Sequence, residues 1–510
     1  MKKFFLTTAI DYANGRPHIG HAYEKILADV IARIARLSGK DVYLMTGLDE
    51  HGQKVEQSAV RRKISPKALC DEVADDFKSL CNTLNVSYDH YIRTTDKYHK
   101  EFVQKCLQKL FDAGEIYKAK YTGLYSLSAE RFVQEKDKIN GEWPADYGQI
   151  TEITETNYFF RLKEHQQWLI DYIETHPNFI YPTFRAKQVL EFLKEPINDL
   201  CISRPKERLS WGIEIPFDRE YVTYVWFDAL LNYISGVNFD GKTVDDYWPA
   251  DYQIIGKDIL VPAHSVYWPI MLNVLGYDLP KTLLTHGWWL SSGEKMSKSL
   301  GNVVDPLECI ELFGPDSFRY YLMREMNVGQ DCDFNLDRFA TRYTTDLGND
   351  LGNLLSRVVN MLHRYCGGII PELGEDSPVT EELRSLWNAT KRSVLAQCEI
   401  LAFNSALGDL FSFIASINKF IEQNAPWKLA KSSENKDQVK LKLTLAAAAE
   451  SIRLAALLLA PVMPSTVPKI LDALGTNPEI KWDNLDFGNH LSGKTVVKNV
   501  ILFPRLETNS

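Results

Sequence analysis

Apolar and polar residues follow two different periods in the first fifty positions. Residues 4–10 and 41–46 are short β-rich runs, whereas apolar residues recur at helical spacing from His18 to Leu37. Residues 11–17 are rich in turn formers, and Gly39 stands where a glycine commonly ends a helix. Strand, helix and strand in close succession predict a βαβ unit in a parallel sheet.

The pattern changes twice further along the chain. Residues 117–222 are rich in Tyr, Thr, Glu and Lys and contain short strand patterns, which predicts an insertion between two halves of the sheet. Strand patterns resume near residues 252–255 and 282–286, and residues 339–474 are helical almost throughout, followed by an extended segment at 495–503. The predicted divisions are 1–116, 117–222, 223–338 and 339–510.

Composition narrows the class of protein. The 510 residues carry a formal net charge of −9, which argues against a general nucleic-acid coat protein but allows a local basic patch for RNA. The eight cysteines include no C-x-x-C pair, so neither a disulfide framework nor a zinc knuckle is indicated. Reduced cysteines are typical of a cytoplasmic protein.

No membrane or targeting segment is predicted. The first strand pattern begins at Lys3, which leaves no room for a signal peptide. The longest apolar stretch, residues 446–462, is interrupted by Glu450 and Arg453. We therefore expect a buried helix there and no membrane partner.

Two histidines stand at the predicted start of the first long helix. His18 and His21 are three residues apart, so they share one face beside the free N–H groups of a helix N-terminus, which favour phosphate. Gly20 leaves room for a flat base against the backbone, and Pro17 fixes the entry of the helix. A surface helix with two solvated histidines is the alternative.

Two lysines stand in a glycine-flanked loop. Lys295 and Lys298 bracket Met296 and Ser297, after Ser-Ser-Gly at 291–293. Two ammonium groups in such a loop can close over a triphosphate and stabilise the charge of the transition state. The alternative is a solvated basic loop.

In this order, His18-Ile19-Gly20-His21 and Lys295-Met296-Ser297-Lys298-Ser299 resemble the paired signatures of the class I aminoacyl-tRNA synthetases. The resemblance implies an α/β fold: a split Rossmann-like parallel sheet with an inserted connective domain, followed by an all-α anticodon-binding bundle. It also implies ATP as a substrate, accompanied by Mg²⁺. Its implied contacts with ATP are Gly20, Asp258 near the ribose, and the two lysines, with His18 and His21 as catalytic residues beside them.

Further strings resemble the methionyl-tRNA synthetases in particular. They are AIDYANG at 9–15, GLDEHG at 47–52, YVWFDA at 224–229, GKDI at 256–259 and YWP at 267–269. This resemblance implies a ligase that joins methionine to tRNA(Met), including the initiator, and releases AMP and pyrophosphate. Because no appended tRNA-binding domain follows residue 505, we expect a monomer.

A stripe of side chains suits a methionine pocket. Trp226, Ala229, Leu230 and Tyr233 recur at helical spacing after a strand end, where ligands of α/β sheets bind. Aromatic rings with a small gap suit a thioether, although such a stripe more often forms only core. The resemblance adds Tyr12 and His264 as polar contacts, Asp49 for the substrate ammonium, and the backbone at Ile10.

The sequence departs from the family pattern in four places. Asp11 stands where proline is frequent in the family, Leu230 stands where some members have proline, and residues 259–264 are one residue longer than the common form. At the four positions of the family's zinc knuckle the chain has Ser126, Ala129, Trp143 and Asp146, which are not a zinc ligand set. We expect an insertion without zinc that packs Tyr125, Phe132 and Trp143.

Three residues of the helical region resemble the family's anticodon readers. Asn353 and Arg357 are neighbours on one helix face, and Trp427 follows Pro426 at a helix end. Asn and Arg can read base edges and Trp can stack on an unpaired base. In an arbitrary helical domain the same residues would be surface and core.

Two other functions stay open at this point. A leucyl, isoleucyl, valyl or cysteinyl enzyme would carry a longer editing insertion or zinc-binding residues near its pocket. A non-catalytic tRNA-binding paralogue would be expected to have eroded signatures. A methionine pocket also rejects homocysteine by only about 1–3 kcal/mol, which predicts an editing route for homocysteine in the same site.

Overall fold

The structure is a computed structural model that describes residues 2–126, 131–133, 135, 138, 141–144, 147–239, 241–296, 302–374, 377–476, 480–498 and 500–506. The chain divides into two compact units. The first comprises Met1–Pro17, Lys40–Leu80 and Ser87–His286, and the second comprises His18–Gly39, Cys81–Val86 and Gly287–Ser510.

The strands of the described residues are, in chain order, β1 (Lys3–Thr8), β2 (Asp11–Tyr12), β3 (Asp41–Asp49), β4 (His90–Arg93), β5 (Ile116–Ser126), β6 (Arg131–Val133), β7 (Ile150–Phe160), β8 (Ile180–Tyr181), β9 (Leu200–Cys201), β10 (Ser203–Pro205), β11 (Glu214–Ile215), β12 (Asp218–Thr223), β13 (Tyr252–Gly256), β14 (Leu283–His286), β15 (Trp289–Ser291), β16 (Glu294–Lys295) and β17 (Cys332–Asp333).

The α-helices of the same residues are α1 (Ile19–Leu37), α2 (Gln53–Arg62), α3 (Pro66–Thr83), α4 (Lys97–Asp112), α5 (Gln166–Thr175), α6 (Thr183–Phe192), α7 (Val225–Leu230), α8 (Asn232–Ser235), α9 (Val244–Tyr247), α10 (Trp268–Leu275), α11 (Pro306–Phe313), α12 (Pro315–Glu325), α13 (Leu336–Arg342), α14 (Asn353–Cys366), α15 (Pro378–Glu399), α16 (Phe403–Asn424), α17 (Pro426–Leu429), α18 (Asn435–Leu459) and α19 (Val467–Ala473). Two π-helical segments, Leu260–Tyr267 and Tyr343–Gly352, precede α10 and α14.

A parallel sheet forms the centre of the first unit. Its order is β2-β3-β1-β13-β14-β8, with β4 paired to the long strand β3, and each pairing is parallel. The middle strand β1 is an apolar run whose Phe5 and Leu6 are fully buried, as expected of a strand covered on both faces. The predicted parallel sheet is confirmed.

The strand order reverses at β1, which fixes where a ligand can bind. From β1 the chain first adds β3 on one side, and much later adds β13 on the other. The loops that leave the carboxyl ends of β1 and β13 therefore diverge, and such a switch point opens a crevice at that edge of an α/β sheet.

The insertion is built on a long antiparallel hairpin. Strands β5 and β7 pair over their full length, and β6 adds to β5 so that Tyr125 lies opposite Phe132. Tyr125 is buried and meets the Phe132 ring edge-on at 5.3 Å, while Trp143 stacks on Tyr147 at 6.3 Å. Ala129 and Asp146 lie outside the described residues.

One strand within residues 117–222 belongs to the central sheet. Strand β8 pairs in parallel with β14 and forms the edge of that sheet. The interval predicted as an insertion therefore also supplies a strand to the central sheet. This strand, Ile180–Tyr181, has only two residues, so the sequence pattern does not reveal it.

The second unit is mainly helical. Helices α14, α15, α16 and α18 pack on one another, in agreement with the predicted helical region. Helix α18 buries the apolar stretch, and its Arg453 and Glu450 form a buried bidentate pair at 2.7 and 2.8 Å. Within the described residues, none of the helices has the length and apolar character needed to cross a bilayer.

A buried arginine joins distant parts of the second unit. Arg319 on α12 donates to Asp29 of α1 at 2.6 Å and to the carbonyl oxygens of Leu84, Pro461 and Val462 at 2.8–2.9 Å. Helix α1 is thereby fixed to the turn that follows α18.

At the end of the chain, Thr495 forms an isolated bridge with Ile369. The remaining described residues of 495–503 are not in a strand and include bends at Lys498, Leu502 and Phe503, so no continuous strand forms in that described part.

Candidate active site

Tyr12 and Asp49 lie together at the carboxyl end of the central sheet. They are register partners in β2 and β3, and the N–H of Ala13 donates to the carbonyl oxygen of Asp49 at 2.9 Å. Asp49 is buried, with 9% of its surface exposed. Ile10 lies against Gly47 of β3: a Cβ placed on that glycine would stand only 3.0 Å from Ile10 Cγ2. These three predicted residues therefore belong to one site.

The aromatic side of the site is carried by two short helices. Trp226, Ala229 and Leu230 are on α7 and Tyr233 is on α8. Trp226 is half-buried, whereas the other three are buried. The sequence predicted this stripe, but the helix is interrupted at Leu231.

His264 joins the same cluster. Its ring lies perpendicular to Trp226 at 6.1 Å, and its Nε2 is 2.8 Å from the Tyr233 hydroxyl. Its Nδ1 is 2.9 Å from the carbonyl oxygen of Ile259, which can only accept. In the neutral imidazole Nδ1 therefore carries the proton, and Nε2 accepts from Tyr233.

The backbone around His264 is a wide turn. The segment Leu260–Tyr267 forms wide turns with a kink at Val261, whose backbone is extended (φ −109°, ψ 127°), and the N–H of His264 reaches back five residues to Ile259. The extra residue inferred in 259–264 stays a prediction.

Asp258 lies at the carboxyl end of β13, the strand next to β1. It is exposed, and its Oδ1 would stand 2.6 Å from a Cβ on Gly256, so the Asp258 side chain lies directly against that end of the strand. Asp258 is therefore at the edge where the switch point places a ligand.

In the second unit, His18 and His21 form a stacked pair at the start of α1. Their ring centroids are 3.7 Å apart, and the Nδ1 atoms accept from the N–H groups of Gly20 and His18 at 3.1 Å. The neutral tautomer of each ring thus carries its proton on Nε2, which makes Nε2 a donor suited to phosphate oxygen. A Cβ on Gly20 would stand 2.9 Å from His18 Cε1, a second reason for glycine that the sequence did not reveal.

Lys295 closes the short strand β16, and its Nζ lies 4.1 Å above the ring of Trp288. It is exposed to solvent. Lys298, together with Ser297 and Ser299, lies outside the described residues.

Comparison with known proteins decides the family. The family described as "tRNA synthetases class I (M)" matches residues 4–152 and 147–359, and the "Anticodon binding domain of methionyl tRNA ligase" matches residues 370–506. The chain belongs to the methionyl-tRNA synthetase family.

Curated relatives named methionine–tRNA ligase match over nearly the whole chain. One from Caldanaerobacter subterraneus is 40% identical over 99% of this chain and 79% of its own length. One from Deinococcus radiodurans is 42% identical over 99% of this chain and 75% of its own. A Mycobacterium tuberculosis methionyl-tRNA synthetase solved with methionyl-adenylate has a TM-score of 0.93 and 38% identity, covering 99% of this chain and 100% of that one.

The residues that resemble the anticodon readers of methionyl-tRNA synthetases lie on helices of the second unit. Asn353 is exposed at the start of α14, and Arg357 one turn later is paired at 2.5 Å with Glu422 of α16. Trp427 is half-buried on α17, directly after Ala425 in the left-handed conformation (φ 44°) and Pro426. The sequence predicted Trp427 after Pro426 at a helix end, and α16 ends at Asn424, three residues before Trp427.

Sequence reasoning missed a buried polar cluster beside the aromatic stripe of this synthetase. Asp228 is fully buried and lies 3.0 Å from His51 Nδ1, with His99 Nε2 at 3.9 Å from its other oxygen. Burial opposes the charge of Asp228, but the two imidazoles lower the pKa of its carboxyl group below the ordinary value. The available signal was a charged residue inside the apolar run 225–231.

Proposed function

We propose that this chain activates methionine with ATP and transfers the methionyl group to tRNA(Met), including the initiator. One observation supports the choice of methionine. Tyr233 and His264 are hydrogen-bonded at 2.8 Å and lie beside Trp226 in the same unit as Asp49. An aromatic wall in the same unit as a buried carboxylate suits an amino acid with an apolar, polarisable side chain.

Methionine is held at both of its ends in this proposal. The Asp49 carboxylate binds the substrate ammonium, with the backbone at Ile10 as a second contact. Trp226, Ala229, Leu230 and Tyr233 surround the thioether, with Tyr12 and His264 as polar contacts at the wall. The hydrogen bond from the Tyr233 hydroxyl to His264 Nε2 holds these two polar groups together at the wall.

In this proposal ATP binds to a second set of residues. The Nε2–H groups of His18 and His21, with the ammonium groups of Lys295 and Lys298, stabilise charge on the phosphates, while Gly20 and Asp258 contact the nucleoside. Mg²⁺ accompanies ATP and neutralises pyrophosphate. Among the described residues no group of three or more His, Cys, Asp or Glu could hold a metal ion.

The reaction needs no covalent enzyme nucleophile. A methionine carboxylate oxygen attacks the α-phosphorus, the bond from the α-phosphorus to the α,β-bridging oxygen breaks, and pyrophosphate leaves with that oxygen. The terminal ribose hydroxyl of tRNA then attacks the carbonyl carbon of the adenylate, loses its proton, and AMP leaves. Preorganised donors at the phosphates contribute most of the stabilisation in the first step.

Asn353, Arg357 and Trp427 read the anticodon in this proposal. The pairing of Arg357 with Glu422 fixes the direction of the guanidinium, and the half-buried Trp427 offers a face on which an unpaired base can stack. We further propose a cytoplasmic monomer that needs neither zinc nor a membrane.

Pyrophosphate exchange tests the substrate. With a panel of amino acids, methionine is expected to support exchange at least about a hundredfold better than leucine, isoleucine, valine or cysteine. Trp226→Ala is expected to raise KM for methionine by about tenfold or more. As a control, Lys419→Ala, at an exposed position, should leave KM for methionine unchanged. Exchange with another amino acid, or with none, would contradict the proposal.

A further inference from the structure

We propose that Asp228 is a positioning residue: its buried carboxylate holds His51 and thereby fixes the ammonium end of the methionine pocket to the thioether end. The inference rests on the proposed function, because it assumes that Asp49 and Trp226 bind the two ends of methionine.

The contact connects two segments that are far apart in sequence. Asp228 lies on α7, two residues after Trp226 and directly before Ala229, and its Oδ2 is 3.0 Å from His51 Nδ1. His51 follows Asp49 by two residues at the end of β3. One hydrogen bond therefore sets the spacing between the segment that carries Asp49 and the helix that carries Trp226.

A second imidazole lies near the same carboxylate on another helix. His99 of α4 has Nε2 at 3.9 Å from Asp228 Oδ1, which is beyond hydrogen-bond distance, and its Nδ1 lies 2.8 Å from the hydroxyl of Ser235. Ser235 is two residues beyond Tyr233 on α8. The hydrogen bond on which the proposal rests is therefore the one between Asp228 and His51.

Asp228 and the two imidazoles are removed from solvent, so loss of one partner would leave an unpaired polar group in the interior. Asp228 and His99 are fully buried and His51 is 3% exposed. A buried carboxylate must be paired, because an uncompensated charge in the interior is strongly unfavourable. If position 228 served only to pack the pocket wall, an apolar residue would suffice there, as at the other positions of the apolar run 225–231.

Several hydrogen bonds of Glu50, in the same Asp49–Gly52 segment, lead to other parts of the unit. The Glu50 carboxylate accepts from Arg93 and Thr95, and its N–H donates to Thr94 Oγ1 at 2.9 Å, so these bonds run to β4 and the residues after it. The Glu50 carbonyl oxygen accepts from Trp211 at 2.5 Å. The His51 bond is the one of this set that runs to α7 and the thioether wall.

The expected effect is on methionine rather than on ATP. Without Asp228 the two ends of the pocket are no longer held at one spacing, so a ligand that must contact both ends binds less well. ATP contacts neither segment in the proposed function. Loss of a hydrogen bond to a charged group predicts about a tenfold to hundredfold rise in KM for methionine, with KM for ATP changed by less than about twofold.

The test is methionine-dependent pyrophosphate exchange with the full chain, in four variants. Asp228→Ala removes the carboxylate, Asp228→Asn keeps its shape and one acceptor, His51→Gln keeps a donor, and Asp228→Ala with His51→Ala removes both partners. We expect the Ala variant to raise KM for methionine most and Asn and Gln to raise it less. The double variant should be no worse than Asp228→Ala, because the partners act through one contact.

A matched control lies in the same unit. Glu115→Gln breaks another carboxylate–imidazole pair, with His165 at 3.1 Å, and should leave both KM values unchanged. Thermal unfolding of each variant measures its folded fraction; if Asp228→Ala does not fold, Asp228→Asn and His51→Gln carry the test.

A merely structural role would lower kcat in proportion to the folded fraction and leave both KM values unchanged. Unchanged KM for methionine in folded variants, or an equal rise in KM for ATP, would overturn the inference. If the wild-type chain shows no methionine-dependent exchange, the proposed function has failed instead.

Discussion

Arg319 offers a direct measure of how firmly helix α1 is held in the second unit. Replacing it with alanine removes a fully buried guanidinium that donates to Asp29 and to the carbonyl oxygens of Leu84, Pro461 and Val462. The change reaches α1, which begins directly after His18.

The expected loss of stability in Arg319→Ala depends on the contacts that Asp29 retains. Its carboxylate is fully buried and retains Arg33 Nε at 2.7 Å, so it stays partly neutralised. At an effective dielectric constant of 20, the attraction across the 2.6 Å contact is about 6 kcal/mol before desolvation is subtracted. Removal of one partner of a buried pair costs about 3–5 kcal/mol, and we expect Arg319→Ala to fall in that range.

Calorimetry on the full chain is the assay. For a domain of roughly 150–250 residues, each kcal/mol lowers the midpoint by about 2–4 °C, so the second unit should unfold about 6–20 °C earlier. Arg338→Ala is the control, because Arg338 is 49% exposed in its pair with Glu325 and should cost less than about 1 kcal/mol. Equal shifts for the two variants would refute the reasoning.

Four further outcomes are expected. Gly20→Ala should lower kcat for pyrophosphate exchange by about tenfold or more. The new Cβ would stand 2.9 Å from His18 Cε1, so the His18 ring would have to move. An unchanged kcat would contradict the role of that ring. Burial lowers the pKa of His90 to about 4; the unfolded chain therefore binds more protons between pH 6.5 and 4, and stability falls as pH drops through that window. In His90→Gln the melting midpoint should depend less on pH there, whereas the exposed His176→Gln should behave as wild type. Metal analysis of purified protein should find zinc far below one per chain, and stoichiometric zinc would disprove the metal-free insertion. With ATP and homocysteine the enzyme should form homocysteine thiolactone, and its absence would remove the predicted editing route.

The sequence was sufficient where local pattern and local structure coincide. The helix from Ile19, the strand β13 and the aromatic stripe on α7 each depend on neighbours close in the chain, so periodicity predicted them. The short strand β8 could not be found this way, since two residues carry no periodic signal and its pairing with β14 is decided by tertiary contact.

The same distinction holds within the candidate site. Trp226 and Tyr233 were predicted from residue type and helical spacing and Asp49 from the family resemblance, and the structure places all three in one unit. The pairing of Asp228 with His51 spans 177 positions and leaves no mark in either segment alone. The stacking of His18 on His21 was likewise hidden, because spacing predicts a shared face but not ring geometry.

The place of β1 in the middle of the central sheet has a consequence for synthesis of the protein. One neighbour, β3, follows within about 40 residues, but the other, β13, begins at Tyr252. At about 5–20 residues per second, roughly 12–50 s pass on the ribosome before the second edge of β1 can be paired. During that time Phe4–Thr8 presents an unpaired strand edge that can capture other chains. Nascent chains that end before Tyr252 should therefore depend on chaperones and aggregate without them.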